Sequence, residues 1–156
     1  MADVRWLDER EAKAWRGLQL MQMRLEAALG RQLAAESGLS LSDYVVLVTL
    51  TDQPDGRLRI SELGRTLGWE KSRTSHHVAR MVGRNLVRKE TCDADRRGAF
   101  VVVTDEGRTA IGSAAPGHLA TVRRLFVDQL SAEQLEVIAA AAQTVLAKLD
   151  REDGAP

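Results

Sequence analysis

Apolar residues recur at helical spacing from about Asp8 to Ala35, with Leu18, Met21, Leu25, Ala28 and Leu29 along one side, and Gly38 supplies the stop. Ser40 then stands where a helix cap belongs, ahead of DYVVLVTL, and Gln53-Pro54-Asp55-Gly56 is a turn that closes this second helix. Ser61 opens a short third helix, SELGRTL, which Gly68 ends, and a fourth runs from about Glu70 to Arg84. After it the pattern changes. LVRKETC and GAFVVV are Val-rich runs that read as two β-strands around the polar tip DADRR. Thr104 caps a long helix beginning DEGRTAIG, in which Pro116-Gly117 predicts a kink or break. Ser131 with Gln134 three residues on makes a capping box for the last helix, AEQLEVIAAAAQTVLAKL. The expected fold is mainly α with one small β-hairpin, no internal repeat, and a frayed tail, REDGAP.

At 156 residues and 44% hydrophobic content, the chain suits a single folded domain over residues 1–156 with one sizeable core. No apolar run nears the roughly 20 residues of a membrane span. The stretch MADVRWLDEREAKAW is too acidic and polar for a signal peptide, so a cytoplasmic protein with no membrane partner is expected. A single cysteine, Cys92, permits no internal disulfide, which agrees with a reducing compartment.

The formal net charge of zero hides an uneven distribution. Between Arg57 and Arg97 there are 11 basic and 5 acidic residues, a local balance of +6 that leaves −6 for the rest of the chain. A basic block inside an acidic body is an electrostatic footprint whose commonest partner is a phosphate backbone.

The fourth helix, EKSRTSHHVARMVGR, concentrates this signal. At about 100° per residue, Thr74, Val78, Met81, Val82 and Asn85 form a narrow inward stripe. Ser72, Arg73, His76, Ala79, Arg80 and Gly83 face the other way, with His77 and Arg84 at the flank. No acidic side chain occurs from Lys71 to Lys89, where six are basic. Such a face suits a DNA major groove, where Arg pairs with guanine O6 and N7 while Ser and Lys hold phosphates. Taken alone, a basic helix face is more often solvated surface. The neighbours change that weighting: a short helix, a tight Gly68 turn, a basic helix and a following hairpin make a winged helix-turn-helix, spanning residues 40–103. At the hairpin tip, Arg96 and Arg97 suit a narrow minor groove, with the aspartates fixing their geometry by salt bridge.

RISELGRTLGWEKSRTSHHVARMVGRNLVRKE followed by DADRRGAFVVVTDEGR resembles the MarR family of transcriptional regulators, whose wing pattern is Asp, any residue, Arg, a short strand, then Thr and Gly opening the next helix. The resemblance implies that Asp95 and Arg97 are the wing pair. It makes Ser72, Arg73, Thr74, Ser75, His76 and Arg80 the recognition-helix contacts, to which the charge pattern adds Lys71 and Arg84. Three positions depart from the family: Asn85 stands for the usual Gly and tolerates the left-handed conformation, Val103 stands for Leu, and His77 replaces an apolar residue. His77 is either buried or turned to phosphate.

The resemblance further implies a homodimer, with residues 1–36 and 104–150 as dimerisation helices. Leu119, Val122, Leu125, Phe126, Leu130, Leu135, Ile138, Leu146 and Leu149 support it independently, because two helices alone bury so many apolar side chains poorly. A twofold dimer reads a pseudopalindromic double-stranded operator with half-sites about 10 to 11 base pairs apart. Family members commonly bind a small, often aromatic or anionic molecule between the dimerisation and DNA-binding parts, for which Trp15, Leu18, Met21, Met23 and Tyr44 are candidates; Trp6 is a candidate clasp on the partner subunit. Against this, Met and Trp at helical spacing are more often core than pocket.

Other chemistries find less support. His76, His77, Cys92 and His118 lack metal-ligand spacing, and no cofactor motif, phosphate loop or activated nucleophile is present. Cys92 is either a redox-sensing thiol beside Lys89, Arg96 and Arg97 or, more simply, a small strand residue. The competing class for the whole chain is a winged-helix protein-interaction module, which needs no arginine at the wing tip. If His76 and His77 face DNA, affinity rises as pH falls through about 6.5.

Overall fold

The computed structural model describes residues 4–91 and 98–153. In chain order these form α1 (Glu9–Ser37), α2 (Leu41–Thr51), β1 (Arg57–Arg59), α3 (Ile60–Leu67), α4 (Lys71–Gly83), β2 (Val87–Thr91), β3 (Ala99–Val103), α5 (Asp105–Leu125), a short 3-10 turn (Val127–Gln129) and α6 (Ala132–Asp153). The expected mainly α fold with a small β wing is the one observed.

Local capping chemistry sets most of the boundaries. Asp8 and Glu11 form a capping box for α1, and Gly38 ends it in the left-handed conformation, with φ 68°. Ser40 and Asp43 do the same for α2: the Asp43 N–H donates to Ser40 Oγ at 3.0 Å, and the Ser40 N–H donates to the Asp43 carboxylate at 2.9 Å. Thr104 Oγ accepts from the Gly107 N–H at 3.0 Å, and its hydroxyl lies 2.6 Å from the Asn85 carbonyl, tying the start of α5 to the end of the recognition segment. Asn85 takes φ 56°, as expected of an Asn standing for Gly. The Ser131 and Gln134 box opens α6.

Three expectations are corrected. The helix α5 is not broken at Pro116, which lies inside it, so of the expected kink or break the break does not occur. The helix α3 starts at Ile60, one residue before Ser61, with the Arg59 N–H donating to the Glu62 carboxylate at 3.2 Å. Finally, β1 converts the hairpin into a three-stranded antiparallel sheet of order β1-β3-β2, with Val101 of β3 opposite Leu58 and Lys89. The sequence Arg-Leu-Arg is too short to show strand periodicity, and its pairing with β3 makes it a strand.

The chain divides into two compact units, through His118 and from Leu119 onward. In the first, Val46, Leu47 and Leu50 of α2, Leu63 of α3, Val78 and Met81 of α4, and Val87 and Val101 of the sheet close a core around Leu33 of α1. Each such side chain contributes about 1.5–3 kcal/mol relative to exposure. On α1 itself Leu33 is the one fully buried residue; Leu25, Ala28 and Leu29 are partly buried, whereas Trp15, Leu18, Leu20, Met21 and Met23 are exposed. In the second unit, Val137, Ile138, Val145, Leu146 and Leu149 of α6 are exposed as well. Among the described residues, no single helix is long and apolar enough to cross a membrane.

Candidate nucleic-acid interface

The turn between α3 and α4 is built by glycine. Gly68 takes φ 61°, its N–H donates to the Arg65 carbonyl at 3.1 Å, and the Trp69 N–H reaches back to the Gly64 carbonyl at 2.8 Å. This is a Schellman closure, which a Cβ-bearing residue in the left-handed region disfavours. One turn earlier, a Cβ on Gly64 would lie 2.9 Å from Thr74 Oγ1, so this glycine lets α3 and α4 approach closely. The two helices are thereby fixed, and with them the direction in which α4 points.

On the outward side of α4, Lys71, Ser72, Arg73, His76 and Arg80 are exposed and Ser75 is partly so. Ser72, Arg73, His76, His77 and Arg80 join Ser42 of α2 around an open concavity of about 530 Å3. Ser42 had no signal within α4 because it arrives from another helix. Two sequence expectations fail here. Thr74, which the resemblance made a contact and the helical period turned inward, is buried at 1% exposure with its hydroxyl donating to the Glu70 carbonyl at 3.0 Å, so the period holds and the contact does not. Val82 is exposed at 39%, because the buried stripe of α4 is only as wide as Thr74, Val78 and Met81.

Arg84 is also reassigned. Its guanidinium donates to the Asp43 carboxylate at 2.6 Å and to the Gly38 carbonyl at 3.0 Å, which binds the end of α4 to the start of α2. Asp43 is the hub of this joint at 2% exposure, with His77 Nε2 lying 3.0 Å from its second oxygen. His77 Nε2 is buried and has no well-aligned hydrogen-bond partner among the described residues, so the two groups meet as a close electrostatic contact. Burial works to raise the Asp43 pKa, but the Ser40 N–H, the Arg84 guanidinium and the Ser40 hydroxyl overcome it and hold the carboxyl below its ordinary value. Burial lowers the His77 pKa, with Arg80 and Arg73 adding to that, against the opposing pull of Asp43. Burial and the two arginines favour the neutral imidazole, and His77 is a largely buried residue set against Asp43 and the Trp69 ring.

Trp69, in the turn, touches both sides of this arrangement. The Arg73 guanidinium carbon sits 4.4 Å from its ring centroid, while the His77 ring meets it at 5.3 Å and 80°. Behind the wing, Arg57 and Arg59 lie 5.0 and 4.8 Å from the Phe100 centroid. Asp95, Arg96, Arg97 and Cys92 lie outside the described residues.

Of the residues expected to line a ligand pocket, Tyr44 lines a cleft of about 390 Å3 with Val48, Thr51 and Asp52 of α2 and its following turn, and Arg108, Ile111, Gly112 and Ala115 of α5. Tyr44 also stacks on His118, with ring centroids 4.2 Å apart, and burial lowers the His118 pKa. Trp15, Leu18 and Met21 are not among that cleft's walls; they lie exposed on α1.

A glycine-closed helix pair, a basic second helix and an adjoining three-stranded sheet define a winged helix-turn-helix protein. Residues 37–98 match the model of the MarR family. The chain is 38% identical to AbsC of Streptomyces coelicolor, a MarR family transcriptional regulator, over 94% of this chain and 99% of that one, with a TM-score of 0.86. To Sco3205 of the same organism, a MarR family regulator solved in complex with DNA, it is 37% identical over 92% of this chain and 94% of that one, with a TM-score of 0.87. It is 33% identical over 100 residues to the transcriptional regulator HosA of Escherichia coli, covering 64% of this chain and 71% of that one. The chain belongs to the MarR family of transcriptional regulators.

Proposed function

We propose that this protein is a homodimeric repressor that binds a pseudopalindromic operator, with α4 in the major groove of each half-site. The observation that carries this reading is the outward face of α4. Lys71, Ser72, Arg73, His76 and Arg80 are exposed together, with no acidic residue on the helix, on a scaffold similar to a regulator solved with DNA. Ser42, near the α2 N-terminus, joins as a phosphate contact, and Arg97 with Arg96 serves the minor groove from the wing, with Asp95 as its brace. The exposed apolar side chains of α1 and the exposed apolar face of α6 supply the dimer contact.

The cleft lined by Tyr44 and Arg108 suits a small anionic aromatic effector, which its apolar walls would sandwich and its guanidinium would pair. Binding there would release the operator. The test is selection from random duplexes, followed by anisotropy titrations of wild type, Arg80→Ala and Arg97→Ala at two salt concentrations. An enriched palindrome, with affinity falling by about 1–3 kcal/mol in each variant, supports the reading. Equal weak binding by all three proteins, with no enriched sequence, overturns it in favour of a protein-docking role.

A further inference from the structure

We infer that Trp69 is a positioning residue for DNA readout: its indole holds Arg73 flat, with the guanidinium edge turned outward for a guanine. The inference rests on the reading of α4 as the recognition helix. Arg73 is an exposed residue in the first turn of α4, where a free arginine samples many rotamers. Here its guanidinium carbon lies 4.4 Å from the Trp69 ring centroid, within range of a cation–π stack. Stacking occupies the face of the guanidinium and leaves its N–H edge available, and that edge is the part that pairs with guanine O6 and N7.

Trp69 is itself held in place. Its backbone N–H is anchored to Gly64, its ring is half-buried beside the core, and His77 braces it at nearly a right angle. His77 in turn stands at hydrogen-bond distance from the buried Asp43. A side chain immobilised before DNA arrives loses less freedom on binding, so the stack favours the bound state without touching DNA.

The test is a double-mutant cycle on the operator selected with the wild type, using Trp69→Leu, Trp69→Phe, Arg73→Ala and the Leu–Ala double variant. Arg80→Ala serves as an independent check on the helix. Trp69→Leu is expected to weaken operator binding by about two- to fivefold, the weight of an exposed cation–π contact. It should leave the salt slope unchanged, because no charge is lost, and relax the preference for guanine at the position that Arg73→Ala also relaxes. In the Arg73→Ala background the same change should add nothing, and Trp69→Phe should recover much of the loss. In the free protein, the Arg73 Cδ protons should be shifted upfield by the indole ring current and lose that shift in Trp69→Leu.

An equal loss with and without Arg73 overturns the inference, since Trp69 would then act through general packing. If Arg80→Ala weakens binding while Arg73→Ala does not, the inference falls and the recognition-helix reading stands. If neither weakens it, both fall. Should Trp69→Leu unfold, the Trp69→Phe cycle and the free-protein ring-current shift decide the matter.

Discussion

The winged helix-turn-helix lobe and the terminal helices divide their apolar residues in opposite ways. Within residues 40–103, α2, α3, α4 and the sheet converge on one another, and Val82 is the large apolar side chain left exposed among the described residues. Before and along α1, and on α6, the apolar side chains mostly remain open. The lobe thus completes its core within one chain and keeps its polar face for DNA. Each terminal helix carries large apolar side chains that stay exposed in the single chain. Under the dimer proposed above, stability depends on contacts inside a protomer and assembly on concentration.

Breaking the assembly side should have the largest effect. Leu146→Glu places a charge on the exposed apolar face of α6. Sedimentation is expected to show a monomer, and affinity for a two-half-site operator should fall by about 10²–10⁴-fold as the two lobes lose their linkage. A variant that stays dimeric with normal affinity would remove α6 from the interface. On the lobe side, Leu50→Ala truncates a fully buried side chain and should cost about 2–5 kcal/mol in urea unfolding. A loss below about 1 kcal/mol would mean that the lobe core is not closed within one chain.

A smaller effect is expected at the α2–α4 joint. Asp43→Ala leaves the Ser40 N–H, Arg84 and His77 without their carboxylate, at a cost of about 1–3 kcal/mol. Because the joint aims α4, operator affinity should fall with it; unchanged affinity in a folded variant would separate the joint from DNA binding.

The gentlest probe is pH. The folded-state pKa of His77 lies below its ordinary value of 6.5, so the unfolded chain takes up that proton first. Stability from neutral His77 is complete above about 6.5 and declines as pH falls toward the lower folded value. Asp43 works further down. Its contribution is complete above its ordinary 3.8 and is lost as pH falls through its lower folded value. Wild type should therefore lose stability between neutral and mildly acidic pH, and His77→Gln should lose less over that window. Identical pH profiles would show that His77 does not titrate with folding.

Legibility in the sequence followed the range of the interaction. Ser40, Gly38, Gly68 and Ser131 act on backbone groups within a few residues, so their helix boundaries could be read directly. The outward face of α4 was readable from period and charge alone. Thr74 was ambiguous because its polar side chain sits on the inward stripe, and burial settled it. Arg84 resembled a DNA contact until its partner, 41 residues away, was seen to be Asp43. Trp69 was missed because a tryptophan in a turn carries no periodicity, and its meaning depends on where Arg73 and His77 bring their side chains.

The helices, the two strands of the hairpin, the turn at Gly68, the basic helix and the family resemblance were all legible in the sequence. These rest on local backbone chemistry and on patterns that repeat along the chain. The tertiary structure decided which polar residues stay free and which are used internally: Thr74, His77 and Arg84 are taken inward, Arg73 is stacked, and Arg-Leu-Arg becomes a strand. Those outcomes depend on partners far away in the chain, and distance in space is set only when the core closes.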